Sequence, residues 1–299
     1  MKPPPKSILI DAPNQYTRCI GVITKISQME VRLMKQNRGL LIGLFVLLFI
    51  VFGGIFLFQA WNQFSGGSNP IAIEDESFSN IDVLSDNASI EIIPTTGSIT
   101  TVEYGGKNEK NTKYNLKADV KGDTLTVKLK KKGWSFLSFG FSFSNMELLI
   151  TVPEKQYELM TVKNNNGKIK AENMEAVDIS FETDNGNIEL KNIEADSTHV
   201  QSDNGRIILD QVTGKVIGKT DNGRITLVTD NLDRSIDLTT DNGRIEITST
   251  SEPENVTIDA KTGNGKIDVL GVKNEHTVFG KGEHLIKLRS DNGRITVSK

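Results

Sequence analysis

Cysteine is nearly absent from this chain of 299 residues, and the single copy, Cys19, lies before a long apolar run. The residues beyond that run therefore cannot be cross-linked by intramolecular disulfides, and their fold must depend on apolar burial and hydrogen bonding. The chain also lacks a strong charge of either sign, because its net charge is only -3. No global basic field would draw it onto nucleic acid, so we expect no nucleic-acid partner.

Motifs for catalysis and metal binding are missing as well. The three histidines, His199, His276 and His284, have no metal-ligand spacing, and no GxSxG or comparable nucleophile motif occurs. Calcium is disfavoured because the sequence lacks the GGxGxD nonapeptide of calcium-binding solenoids. The sequence therefore predicts no enzyme and no catalytic, cofactor or metal site. A polysaccharide-degrading β-helix enzyme stays the alternative, because turn carboxylates are common here.

One uncharged apolar run, from Gly39 to Phe58, is long enough to cross a bilayer. At about 1.5 Å per residue it covers the roughly 30 Å hydrocarbon core, which predicts a transmembrane helix over 39–60. Basic residues precede the run and acidic residues follow it (Arg32, Lys35 and Arg38; Glu74, Asp75 and Glu76). This asymmetry predicts a cytoplasmic N-terminus and an extracellular C-terminal domain in the cell membrane.

The remaining boundaries follow from composition. Residues 1–38 form the predicted cytoplasmic segment, and we hypothesise that translation starts at Met34, because the preceding codons can contain a ribosome-binding sequence. The apolar run is interpreted as a retained anchor, since no good small-x-small cleavage site follows it. A linker is expected over 61–70, then an irregular N-terminal β region and cap over 71–160, in which IDVLSDNASIEII resembles a degenerate repeat.

An Asn-Gly motif recurs seven times, and its glycines are separated by 19, 19, 18, 20, 22 and 28 residues. Alternating apolar and polar residues flank each motif, which is typical of β-strands. The period predicts an all-β, β-solenoid-like stack of roughly 19-residue strand-turn-strand repeats over 161–299. An antiparallel meander of hairpins stays open as an alternative. The turn glycines, expected to supply positive φ, are Gly167, Gly186, Gly205, Gly223, Gly243, Gly265 and Gly293.

In such a stack, equivalent residues lie in columns with a spacing of about 4.8 Å. The asparagine of each motif should bond the next, forming an asparagine ladder of Asn166, Asn185, Asn204, Asn222, Asn242, Asn264 and Asn292. A basic column follows the glycines, consisting of Lys168, Arg206, Arg224, Arg244, Lys266 and Arg294. Its central arginines, Arg206, Arg224 and Arg244, could contact an anionic wall polymer or lipid headgroup. In the competing interpretation they pair with the motif aspartates.

The segment ITVPEKQYELMTVKNNNGKIKAENMEAVDISFETDNGNIELKNIEA carries a family resemblance. It resembles the bacterial putative-adhesin family of β-strand repeat proteins, which includes membrane-anchored LiaG-like members, and the resemblance extends over 71–299. It implies an exported β-solenoid-like domain without a catalytic motif. For LiaG-like members it implies an association with the envelope stress response of Gram-positive bacteria.

We therefore expect an adhesion, scaffold or interaction module at the bacterial cell envelope. Its expected partners are the lipid bilayer, through residues 39–60, and a cell-wall polymer or envelope protein. A regulatory partner of a membrane stress sensor is a further alternative. The sequence does not predict an oligomeric state.

Overall fold

A computed structural model of the chain describes residues 70–106, 114–131 and 146–299. The part of the chain that the structure describes contains no helix with the length and apolarity that a membrane span requires. Cys19, the segment 1–38 with its alternative start, the predicted transmembrane helix 39–60 and all but the last residue of the linker 61–70 lie outside the described residues.

The described residues contain twenty β-strands. They are β1 Ile71–Ile73, β2 Asn80–Asn87, β3 Ser89–Thr95, β4 Thr100–Gly106, β5 Tyr114–Lys121, β6 Thr124–Lys131, β7 Met146–Pro153, β8 Gln156–Asn166, β9 Ile169–Asn185, β10 Ile188–Ser202, β11 Ile207–Val212, β12 Lys215–Asn222, β13 Ile225–Thr229, β14 Ile236–Asn242, β15 Ile245–Ser249, β16 Val256–Asn264, β17 Ile267–Val269, β18 His276–Val278, β19 His284–Asn292 and β20 Ile295–Ser298.

Strand pairing stacks the chain in two columns; the pairing is parallel between the coils of the Asn-Gly repeats, and each of these coils contributes one stretch to each column. The first column runs β6, β2, β8, β9, β10, β12, β14, β19, β16 and β18. The second runs β1, β4, β7, β3, β9, β10, β11, β13, β15, β20 and β17. The β-solenoid-like stack is confirmed, and the antiparallel meander is wrong for the Asn-Gly repeats.

Apolar residues in register hold the coils together. The isoleucine after each Asn-Gly pairs with its equivalent on the neighbouring coil, as in Ile188 with Ile207 and Ile225 with Ile245. All four side chains have no solvent exposure. Complete burial of such a side chain contributes roughly 1.5–3 kcal/mol, so the column forms a continuous core where no single repeat could form one alone.

The spatial order of the coils departs from their order in the sequence. The last coil, β19 with β20, lies between β14–β15 and the earlier coil β16–β17. Likewise β2 and β3 lie between β6–β7 and β8–β9. Because equivalent residues offer the same hydrogen-bonding register to any neighbour, local sequence does not specify which coil comes next.

Antiparallel strands cover parts of both ends of the stack. At one end β5 pairs with β6, and β1 pairs with β4, which pairs with β7. At the other end β18 lies against Thr257–Asp259 of β16. Such covering strands protect edges that would otherwise pair with other chains.

Candidate ligand-binding surface at the Asn-Gly bend

The asparagine of every Asn-Gly motif lies in one column at the bend between the two strand columns. Each side-chain Nδ2 donates to the Oδ1 of the neighbouring asparagine at 2.8–3.1 Å. In space the asparagine ladder runs Asn87, Asn166, Asn185, Asn204, Asn222, Asn242, Asn292 and Asn264. Asn87 is an additional member from the degenerate repeat, where Ala88 replaces the glycine.

The motif glycines are required by close packing between coils. A Cβ on Gly243 would lie 1.6 Å from the carbonyl oxygen of Gly223, and one on Gly223 would lie 1.8 Å from that of Gly205. The expectation that these glycines supply positive φ is wrong for six of the seven, since only Gly167 has a φ in that range, 119°. At the other six the bend forms without positive φ, and any side chain at the glycine would collide with the neighbouring coil.

In six of the seven motifs a hydroxyl two residues before the asparagine donates to the glycine carbonyl oxygen of the neighbouring bend. Thr220 Oγ1 donates to the Gly205 carbonyl oxygen at 3.1 Å, and Thr240 Oγ1 donates to that of Gly223 at 3.0 Å. The same bond is made by Thr183, Ser202, Thr262 and Ser290. Sequence analysis missed this column, although five of the seven motifs have the sequence Ser/Thr-Asp-Asn-Gly.

The basic column occupies the position directly after these glycines. The register of the following isoleucines gives the spatial order Lys168, Asn187, Arg206, Arg224, Arg244, Arg294 and Lys266. Four arginines and a lysine thus follow one another on successive coils, about 4.8 Å apart. All five are exposed.

Few residues of the basic column form ion pairs. Arg224 lies 3.6 Å from Glu246, which is on the next coil, directly after the motif isoleucine. Lys168 contacts Glu189, which occupies the same position on the coil next to Lys168. On the coil next to Arg206 that position holds Thr226, and on the coil next to Arg244 it holds Thr296, so neither arginine has an acidic neighbour there. The guanidinium groups of Arg206, Arg244 and Arg294 have no ion pair within the described residues.

The motif aspartates form a second charged column beside the ladder. They are Asp184, Asp203, Asp221, Asp241 and Asp291. Among them Asp221 pairs with Lys219 at 3.6 Å, and none pairs with an arginine of the basic column in the described structure. The charge pairing of the competing interpretation is therefore not the arrangement found at this bend, and most of the positive charge of the column faces solvent.

The sequence of the chain also matches the model of a known protein family. The model of the family described as "Toastrack DUF4097" matches residues 78–274, more than half of the chain. The chain belongs to the toastrack DUF4097 family. This match agrees with the resemblance to β-strand repeat proteins. No curated protein matches the chain.

Solved structures similar to this toastrack protein come from several bacteria. A "putative cell adhesion protein" from Clostridium sporogenes is 13% identical, with 77% of this chain and 97% of that chain covered and a TM-score of 0.39. A "putative adhesin" from Bacteroides fragilis is 15% identical, with 78% and 97% covered and a TM-score of 0.41. A "putative lipid binding protein" from Parabacteroides distasonis is 14% identical, with 79% and 98% covered and a TM-score of 0.27.

The opposite bend of the toastrack stack has its own polar column, which sequence analysis also missed. Asn173, Asn192 and Gln211 adopt positive φ values of 51–55° there. Asn192 Nδ2 donates to Asn173 Oδ1 at 2.9 Å. Their separation of 19 residues, which equals the repeat period, could have revealed this column in the sequence. In a later coil Arg234 lies at this bend, and burial lowers the pKa of its guanidinium group to about 10.

A shallow depression of about 310 Å³ lies at this opposite bend. It is lined by Pro153, Glu154, Lys155, Asn173, Met174, Glu175, Asn192 and Glu194. The lysine is engaged elsewhere, since its Nζ donates to the carbonyl oxygens of Glu76 and Phe78. A glycosidase needs two carboxyl groups on either side of a sugar, whereas Glu175 and Glu194 lie side by side on neighbouring coils. In the described residues no group of His, Cys, Asp and Glu could hold a metal ion.

Proposed function

We propose that this toastrack protein is anchored in the cell membrane by residues 39–60 and binds an anionic polymer of the bacterial envelope along the basic column. The observation that carries the proposal is the row of four exposed arginines on successive coils, of which only Arg224 forms an ion pair in the described structure. Guanidinium groups bind phosphate and carboxylate in a bidentate manner. A polymer with regularly repeated negative charges is therefore the ligand chemistry that such a row matches.

Rigidity supports binding along this surface. The carbonyl oxygens of the motif glycines accept hydroxyl hydrogen bonds, and the asparagine ladder joins every bend to the next. The arginines are thus presented from a backbone that is ordered before a ligand arrives, which lowers the entropic cost of binding. In this proposal the protein acts as an adhesion or scaffold module, as the family resemblance implies. A link to the envelope stress response and a LiaG-like subtype stay predictions from that resemblance.

The binding test compares two triple variants of the full-length protein. The first carries Arg206→Gln, Arg224→Gln and Arg244→Gln. The second carries Lys215→Gln, Lys261→Gln and Lys287→Gln, which remove the same charge from exposed positions on the first strand column. Binding to a poly(glycerol phosphate) wall polymer and to phosphatidylglycerol vesicles is measured at several salt concentrations.

We expect the arginine variant to lose roughly 10- to 100-fold in affinity for the polymer, since each exposed charge contributes a fraction of a kcal/mol. The lysine variant should lose much less. A loss of vesicle binding alone would identify lipid headgroups as the ligand. Equal affinities of both variants for both probes would overturn the proposed role of the basic column.

The anchor is tested separately. Deletion of residues 39–60 should move the protein from the membrane fraction to the soluble fraction, because the uncharged apolar run is removed. External protease should degrade the toastrack domain of the unaltered protein in intact protoplasts. Protection of that domain until the membrane is permeabilised would contradict the extracellular orientation.

A further inference from the structure

The asparagine ladder has one end at which an Asn-Gly motif is only half bonded. Six of the seven motif asparagines both donate and accept a ladder hydrogen bond. Asn264 donates to Asn292 Oδ1 at 3.0 Å, and its own Oδ1 accepts no hydrogen bond within the described residues. Its glycine differs too, because Gly265 is exposed whereas the other six motif glycines are half-buried.

The coil that carries Asn264 is the outermost one at this end. Its strand β17 pairs with β20 on the inner side, and on the outer side the described chain offers only the single bridge between Val269 and Val272. The covering strand β18 reaches only Thr257–Asp259. No coil among the described residues therefore covers the bend at Asn264 and Gly265, and this bend can open locally without disrupting a described neighbour beyond it.

We infer that Asn264 is a site of spontaneous deamidation, while the folded stack protects the six other Asn-Gly motifs. In this reaction the Gly265 amide nitrogen loses its proton to hydroxide and attacks Asn264 Cγ. A bond forms between the nitrogen and Cγ, the bond from Cγ to Nδ2 breaks, and ammonia leaves. Water then opens the resulting succinimide ring to give aspartate or isoaspartate, so the only co-reactant is water.

Protection of the inner motifs follows from the same contacts. Attack requires the asparagine side chain to leave the ladder and the glycine nitrogen to approach Cγ. At Asn242 this movement breaks two ladder bonds, and Gly243 N is occupied as a donor to the Asn292 carbonyl oxygen at 3.1 Å. Gly167 N and Gly293 N are occupied in the same way, whereas the described residues offer no backbone acceptor to Gly186 N, Gly205 N, Gly223 N or Gly265 N. Asn264 differs from all six because only one ladder bond must break and because its glycine is exposed.

Conversion would change the end of the stack. A carboxylate at position 264 has no Nδ2 with which to donate to Asn292 Oδ1, so the last ladder bond is lost. The new negative charge would lie two residues from Lys266, the final member of the basic column. Isoaspartate would also lengthen the backbone at the bend. The modification therefore loosens the outermost coil, and the fraction of protein modified at position 264 increases with the age of the protein.

The test is incubation of the purified full-length protein in mildly alkaline buffer, followed by peptide mass mapping of all seven motifs. The same incubation in denaturant is the control for their intrinsic reactivity. A variant with Asn264→Gln provides a second control, because glutamine cyclises far more slowly.

We expect Asn264 to convert roughly tenfold faster than any other motif asparagine in the folded protein, which corresponds to about one lost hydrogen bond. In denaturant the seven motifs should convert at similar rates. The acidic form that accumulates on ion exchange should be absent from the N264Q protein. Equal rates at Asn264 and the inner motifs of the folded protein, or an unchanged acidic form in N264Q, would overturn the inference.

Discussion

Asn292 Nδ2 donates to Asn242 Oδ1 at 3.0 Å although fifty residues separate the two asparagines. The sequentially intermediate Asn264 lies on the far side of Asn292 and donates to it. The C-terminal coil is thus inserted into the stack and closes a gap between two coils that precede it in the chain. The same relationship is repeated across both strand columns by β19 and β20.

Engineered disulfides can test this inserted order. Asp237 pairs with Lys287, and Lys287 pairs with Asp259, so Asp237 and Asp259 are two coils apart. With Cys19 replaced by serine, D237C/K287C should form a disulfide, because neighbouring strands are about 4.8 Å apart. D237C/D259C should not form one, since its separation is about twice as large. The reverse pattern on oxidised, non-reducing gels would contradict the insertion.

Removal of one ladder member should destabilise the stack. Asn222→Ala leaves Asn204 Oδ1 without a donor and Asn242 Nδ2 without an acceptor. We expect a loss of about 1–3 kcal/mol in the free energy of unfolding, measured by urea denaturation. Asn274→Ala, at an exposed asparagine outside the ladder, is the control. A midpoint for Asn222→Ala equal to that of the control would count against the ladder's contribution.

The close approach of the bends predicts that Gly243 tolerates no side chain. In Gly243→Ala the new Cβ would meet the Gly223 carbonyl oxygen at 1.6 Å, and backbone atoms cannot rotate away. We expect a loss of about 3 kcal/mol or more in stability, or failure to accumulate folded protein. The control is Gly97→Ala, whose nearest contact would be a side-chain oxygen at 3.7 Å. Thermal melting of the two variants provides the measurement, and equal melting temperatures would refute the steric argument.

Two buried threonines should respond oppositely to the same substitution. Thr198 is fully buried in the core between Ile179 and Val216, and its Oγ1 has no hydrogen-bond partner in the described structure. Thr198→Val replaces this hydroxyl with a methyl group and should stabilise the protein by about 1 kcal/mol.

Thr220 is also fully buried, but its hydroxyl donates to the Gly205 carbonyl oxygen. Thr220→Val should therefore destabilise by about 1 kcal/mol, because that oxygen loses its donor. Both residues are β-branched before and after substitution, so strand propensity changes little. Chemical denaturation of the two variants side by side gives the comparison, and shifts of the same sign would show that hydroxyl satisfaction does not decide stability here.

Periodicity was the part of this protein that could be predicted from its residues alone. The Asn-Gly spacing indicated parallel coils, and the apolar alternation indicated buried columns such as Ile188 and Ile207, because a repeat must bury its apolar face on its neighbour. The family resemblance pointed to the same architecture, which the toastrack family match bears out.

The order of the coils and the chemistry of the bend depended on tertiary contacts. Any coil of this register can neighbour any other, so only the complete stack selects Asn292 as the neighbour of Asn242. The role of Gly243 was misassigned for a similar reason, since its collision partner, the Gly223 carbonyl oxygen, belongs to another coil. The lack of an acidic partner for Arg206 and Arg244 at the equivalent position likewise depends on Thr226 and Thr296, which belong to other coils. A repeat motif encodes its own strand and bend, whereas the identity of its neighbour is a property of the folded chain.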